Sequence, residues 1–153
     1  MPYVESSITI KAPARHVYDI AKEQERFPEF MPDVESIAVV ERHPGRMLTK
    51  WKTLVEGAPI EWLEEDVFHD DACRIDYKLL EGDLDKFEGA WTFSEDGGGE
   101  TLVTLGVDYD FGVPTLAELI GPTLQKKVEE NSAMMLAAIK REAEATVAEK
   151  TTG

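Results

Sequence analysis

Residues 101–128, TLVTLGVDYDFGVPTLAELIGPTLQKKV, change their apolar period partway along, and that change decides the fold. Up to Phe111 the chain alternates. Val103, Leu105, Val107, Tyr109 and Phe111 share one parity, the mark of a strand with one buried face. Gly112-Val113-Pro114-Thr115 then reads as a helix start, with Thr115 placed to cap it and Glu118 three residues on. Beyond it the spacing is helical: Leu116, Ile120, Leu124, Val128, Met135 and Ile139 fall near one stripe, with Leu119, Leu136 and Val147 beside it. Gly121-Pro122 predicts a short first turn or kink, followed by a long helix from Pro122 to about Ala148 and a frayed tail at 151–153.

Working back from this point, the chain is strand-rich. Val34–Arg42, Arg46–Glu56, Ile60–His69, Ala72–Glu81, Lys86–Ser94 and Thr101–Phe111 are separated by short turn signals such as His43-Pro44-Gly45 and Asp96-Gly97-Gly98-Gly99. Connections this short make hairpins, hence a continuous antiparallel sheet. Tyr3–Lys11 is a seventh strand, stopped by Ala12-Pro13. Two short helical segments follow it: Ala14–Lys22, and a compact Phe27–Pro32 that its last proline ends. The fold class is α+β, a seven-stranded antiparallel sheet with a long C-terminal helix, in one domain over residues 1–150.

Composition narrows the function. The 153 residues are 42% hydrophobic and carry 16 Lys plus Arg against 31 Asp plus Glu, a net charge of −15. Such a surface repels phosphate backbones and anionic lipid, so nucleic-acid binding and stable membrane insertion are not expected. The longest apolar runs fall far short of the roughly 20 residues that span a bilayer. The N-terminal residues lack the pattern of a signal peptide, and the single Cys73 rules out a disulfide scaffold, so a cytoplasmic protein is expected.

One amphipathic helix is the only large element available to cover the buried face of a seven-stranded sheet. A twisted sheet curls around such a helix without meeting it everywhere, and the gap is a cavity. Its lining follows from strand parity: Trp51, Val55, Trp62, Tyr77, Phe87, Trp91, Phe93, Tyr109 and Phe111, with Gly89 placed to open space between Phe87 and Trp91. Any one of these residues could fill a solid core, whereas three tryptophans together favour a ligand surface. The expected cavity has a volume of roughly 300 Å³ or more. Its mouth is expected near Phe27–Pro32 and Gly82–Asp85.

Ile10-Lys11-Ala12-Pro13-Ala14-Arg15-His16-Val17-Tyr18-Asp19-Ile20-Ala21, Phe27-Pro28-Glu29-Phe30-Met31-Pro32-Asp33-Val34, Phe87-Glu88-Gly89-Ala90-Trp91-Thr92-Phe93 and Val128-Glu129-Glu130-Asn131 carry a resemblance, in this order, along nearly the whole chain. The sequence resembles the helix-grip superfamily of START (steroidogenic-acute-regulatory-related lipid-transfer) domains and birch-pollen-allergen-type proteins (START/Bet v 1-like, SRPBCC). Within it the chain is most similar to the bacterial polyketide cyclase/dehydrase and coenzyme-Q-binding group. The resemblance implies a sheet wrapped around the C-terminal helix and an apolar cavity holding a lipid, quinone, polyketide or other aromatic molecule. It also implies an alternative, an aromatase-like cyclase/dehydrase that promotes aldol closure and dehydration with inward polar groups, an arginine prominent among them. The strand Ile60–Phe68 departs from that pattern, because Asp66 stands where the arginine would be sought, with Glu64 two residues before it.

Two function classes therefore stay open, a binding module for an apolar molecule and a cyclase or dehydrase, and a partner-binding stress or toxin-like protein is a third. The ligand-binding set is Trp51, Trp62, Tyr77, Phe87, Trp91, Tyr109, Phe111, Asn131 and Met135. The set for catalysis, if the protein is an enzyme, is Glu64, Asp66, Tyr77 and Tyr109. Glu64 and Asp66 share the parity of Trp62, so a regular strand turns both inward, where burial and mutual repulsion raise at least one pKa. A bulge, or pairing with Arg46, Lys50 or Lys52 across the hairpin, would instead place them outside. His16, His43 and His69 lack metal-ligand spacing, and Gly97-Gly98-Gly99 is a hairpin turn and no phosphate loop. No metal and no cofactor are expected, and the chain is expected to act as a monomer or weak homodimer on an apolar small-molecule ligand.

Overall fold

The computed structural model describes residues 3–31, 34–55, 58–82, 86–110 and 114–152, with the backbone alone described for 55, 58–59, 114–124 and 147–152. Seven strands follow the predicted hairpins: β1 (Tyr3–Ile10), β2 (Val34–His43), β3 (Arg46–Val55), β4 (Ala58–His69), β5 (Arg74–Gly82), β6 (Lys86–Glu95) and β7 (Thr101–Asp110). They form one antiparallel sheet in the order β1-β7-β6-β5-β4-β3-β2. Helix α1 (Ala14–Lys22) and a 3₁₀ helix at Gln24–Glu29 carry the chain from the β1 edge to the β2 edge. The long helix α2 (Pro114–Thr152) covers the inner face, completing the helix-grip architecture.

Several boundaries differ from expectation. The second short helix, expected at Phe27–Pro32, is the 3₁₀ helix Gln24–Glu29, and β4 begins at Ala58 rather than Ile60. Asp70–Ala72 forms a single 3₁₀ turn and Cys73 takes a left-handed φ of 48°, so β5 starts at Arg74 rather than Ala72. The Asp70 carbonyl accepts the Cys73 N–H at 3.4 Å, which lets the chain leave β4 in one tight turn. Helix α2 runs without interruption through Gly121–Pro122 and on to Thr152, past the expected break and the expected end. A proline removes one ladder hydrogen bond, a loss that a helix of 39 residues can carry without ending. Among the described residues, no helix is long and apolar enough to cross a membrane.

The two halves of α2 meet the fold differently. Towards the C-terminus, Ala138, Ile139 and Ala143 are fully buried, and the small alanines let the helix approach closely. Glu144 accepts the Lys11 N–H at 2.9 Å and Lys140 donates to the Thr9 carbonyl at 2.8 Å, fastening this half to the end of β1. His16 Nε2 lies 2.8 Å from Thr146 Oγ1, joining α1 to the same half. Tyr18 packs edge-on against Phe93, with centroids 5.5 Å apart, and donates its hydroxyl to Asp70 at 2.6 Å. The stretch of α2 around Val128 is only partly buried and stands over the concave middle of the sheet.

Gly89 does not widen that space. Opposite Tyr77 and Val107, its missing side chain lets the Tyr77 hydroxyl reach across β6 and donate to the Gly106 carbonyl at 2.7 Å. A Cβ at Gly89 would stand 2.0 Å from that carbonyl oxygen and 2.9 Å from the phenol oxygen. The clash is with backbone, so no rotamer relieves it. Gly89→Ala is expected to cost about 2 kcal/mol or more in urea unfolding; a change within experimental error would refute this account of the glycine.

Candidate functional site

A cavity of about 250 Å³ lies between α2 and the sheet. The sheet side supplies Trp51 and Thr53 from β3, Ile60, Trp62 and Glu64 from β4, Tyr77 from β5, Phe87 and Trp91 from β6, and Leu105 and Val107 from β7. The helix side supplies Lys127, Val128, Asn131, Ser132 and Met135. The strand residues are odd-numbered on β3 and β5–β7 and even-numbered on β4, as alternation in register requires. Trp51 and Trp62 are direct cross-strand partners, and their indoles stack at 5.5 Å with 11° between planes. Phe87 leans on both Trp62, at 5.3 Å, and Tyr77, at 5.8 Å, so the aromatic wall is continuous.

One end of this apolar space is acidic. Glu64 is 3% exposed and Asp66 fully buried, so both turn inward as parity required. Neither outward alternative holds: Arg46 pairs with Glu65 at 2.6 Å and Lys52 with Glu35 at 3.7 Å. Glu64 and Asp66 stand two residues apart on the inward parity of β4, within electrostatic reach of each other. Thr49 donates to Asp66 Oδ2 at 2.9 Å, while Gln24 Nε2 reaches Oδ1 at 3.4 Å. Trp62 Nε1 donates to Glu64 Oε1 at 3.0 Å, and Trp51 Nε1 donates to Thr49 Oγ1 at 2.8 Å. The two stacked indoles are therefore also polar anchors of the acid pair.

Burial, and after it the charge of Asp66, holds the Glu64 carboxyl well above its ordinary value; the indole N–H donors oppose this without winning. Burial raises Asp66 as well, and the bonds it accepts from Thr49 and Gln24 offset only part of the rise. The pair is therefore held towards its protonated form, with Glu64 in the cavity wall and Asp66 one layer behind it.

The remaining candidates divide. Trp51, Trp62, Tyr77, Phe87, Trp91, Asn131 and Met135 all border the cavity. Tyr109 is buried on the same parity and is not among the residues that border this cavity. It sits on β7 opposite Phe87, whose ring occupies the cavity side of that pair. Tyr77 borders the space, yet its proton is committed to Gly106, and burial keeps the phenol protonated. Phe111, the side chain of Val55, and most of the expected mouth at Gly82–Asp85 lie outside the described residues. Sequence reasoning missed Thr49, which stands on the same parity as Trp51 and so was available, and Gln24, which no periodicity in a 3₁₀ segment could mark.

Because Glu64 holds its proton more tightly in the folded state, the folded chain binds more protons than the unfolded one above pH 4.5. The stabilisation is complete below the unfolded pKa and is lost as pH rises through the folded one. Glu64→Gln cannot ionise. Raising the pH from near 4.5 to about 8 is expected to lower wild-type stability relative to Glu64→Gln. Urea midpoints of the two proteins across that range check this, and a constant gap would contradict it.

Comparison with known proteins adds family membership. Residues 10–136 match the family described as polyketide cyclase / dehydrase and lipid transport. A Thermus thermophilus protein of known crystal structure is 32% identical, with a TM-score of 0.90 over 95% of this chain and 99% of that one. The actinorhodin polyketide synthase bifunctional cyclase/dehydratase of Streptomyces coelicolor is 27% identical over 138 residues, 89% of this chain. This chain spans only 42% of that relative's length. The ribosome association toxin RatA of Pseudomonas aeruginosa is 23% identical over 120 residues, covering 78% of this chain and 83% of that protein. With the matched region spanning most of the fold, the chain belongs to the polyketide cyclase / dehydrase and lipid transport family.

Proposed function

We propose that this protein binds a planar, largely apolar small molecule in the cavity between α2 and the sheet. The observation that carries the reading is the apolar space of about 250 Å³ walled by three tryptophans, Tyr77 and Phe87. Burying about 200 Å² of apolar ligand surface yields roughly 5 kcal/mol before the costs of association. Flat rings match the flat indole wall better than a flexible chain does, and lose less entropy on binding. Binding needs no cofactor, and the acidic exterior fits a single-domain cytoplasmic protein working as a monomer or weak homodimer.

A second reading, a cyclase or dehydrase, is favoured by one observation: a buried pair of carboxyl groups with Glu64 in the wall. Catalysis would further need a donor where charge develops on an enolate oxygen. Tyr77 has spent its proton on Gly106, which leaves Thr53 on the sheet and Lys127, Asn131 and Ser132 on the helix as donors in the wall. The aromatic area outweighs these few polar groups, and we rank binding first.

Native mass spectrometry of the purified protein should reveal a co-purified molecule that organic extraction removes. Val128→Trp, which fills the cavity from the helix side, is expected to weaken binding of a neutral three-ring probe at least about tenfold with unchanged circular dichroism. Wild-type affinity in that variant would sink the reading. Turnover of the extracted molecule by wild type but not by Glu64→Gln/Asp66→Asn would promote the enzyme reading over the binding one.

A further inference from the structure

Building on the binding reading, we propose that the cavity selects planar organic cations, such as a protonated aromatic amine, seating the charged nitrogen at the Glu64–Asp66 pair. The first support is the setting of the acids. Glu64 and Asp66 are both buried on the inward side of β4, and every hydrogen-bond partner the structure gives the pair is a neutral donor: Gln24, Thr49 and the Trp62 indole N–H. A cation seated beside them draws the pair towards its ionised form. Nearby cations serve other acids. Arg46 holds Glu65, Lys52 holds Glu35, and Lys127, the basic residue of the wall, lies 3.4 Å from Glu130 on its own helix. A buried charge without a counter-charge is costly, and a ligand that brings the missing charge recovers that cost.

The second support is the wall itself. Stacked Trp51 and Trp62, with Trp91, Tyr77 and Phe87, border one small space. Tryptophan is the strongest of the side chains that attract a cation to a ring face, and the attraction grows when water is excluded. An aromatic wall with an acid at one end provides both contacts a flat cation uses. The third support is long-range. A net charge of −15 draws cations towards the protein and repels anions. All three disfavour a free fatty acid, whose carboxylate would meet the acid pair in an apolar space.

Three compounds with closely similar three-ring skeletons test this: 9-aminoacridine, protonated at neutral pH, anthracene, and anthracene-9-carboxylate. Titrations are followed by calorimetry in about 0.5 M NaCl, where screening shortens to a few ångströms and exterior charge contributes little. The amine is expected to bind about tenfold or more tighter than anthracene, and the carboxylate at least tenfold weaker than anthracene. In Glu64→Gln/Asp66→Asn the ratio of amine to anthracene affinity is expected to fall to within about threefold. If that variant fails to fold by circular dichroism, Glu64→Met/Asp66→Leu, which replaces both carboxyl groups with apolar side chains, is expected to lower the same ratio to within about threefold. Carboxylate binding as tight as amine binding to wild type, or a ratio that survives in the charge-free variant, would overturn the proposal. Anthracene binding with no advantage for the amine defeats the charge assignment alone, whereas failure of all three to bind defeats the binding reading beneath it.

Discussion

A single helix cannot fill the inner face of a seven-stranded sheet, and most of this structure follows from that mismatch. Seven strands spaced at about 4.8 Å are nearly 30 Å across, while a helix with its side chains is about 10–12 Å wide. Curvature closes part of the difference, and α1 with the 3₁₀ segment closes one end. The remainder is shared unevenly along α2. Where the helix carries Ala138 and Ala143 it descends onto the sheet and is held by backbone bonds to Thr9 and Lys11. Where it carries Val128, Asn131 and Met135 it stands off, and the space beneath is the cavity. Cavity and anchorage are thus two ends of one helix, set by residue size.

The acid pair is costly in such a place. Both groups are removed from water, with no ionic partner among the described residues, and the neutral donors around them only offset part of the loss. Four of the groups that satisfy the pair also shape the fold: Thr49 and Trp51 on β3, Trp62 on β4 and Gln24 on the 3₁₀ helix. Gln24 Oε1 is left buried without a partner, so the network is not saturated. A purely structural role would be served more cheaply by apolar residues of the same size. That difference is the physical ground for assigning the pair to the ligand.

Most of the fold was legible because its signals are periodic. Alternation over β1–β7, turn residues at each hairpin, and the switch of period at Gly112–Thr115 all specify geometry locally. Parity also gave the inward direction of Glu64 and Asp66, since no bulge interrupts β4 against β3; the shift at Leu63/Glu64 lies on the β5 side only. What could not be read were contacts made through space. Nothing in the local sequence says that Tyr77 spends its hydroxyl across Gly89, so the glycine read as open volume. Gly121-Pro122 read as a short first turn or kink because propensity counts the hydrogen bond a proline removes, and the helix runs on through it.

The wall and the acidic end of the cavity are separable in this architecture. The aromatic wall is distributed over four strands and is tied to the stacking and hydrogen bonds of the core, so changing it disturbs the fold. The charge at the end depends on two alternate positions of β4, which face a space rather than a tightly packed neighbour only at Glu64. A substitution there alters the charge a ligand meets while the strand pairing on both sides stays as it is. The scaffold can therefore keep one cavity shape and serve chemically different molecules. Relatives named for polyketide cyclisation and for ribosome association accordingly share this chain's sequence pattern without fixing its ligand. Specificity has to be sought at the few polar side chains among the apolar wall, here Thr53, Glu64, Lys127, Asn131 and Ser132.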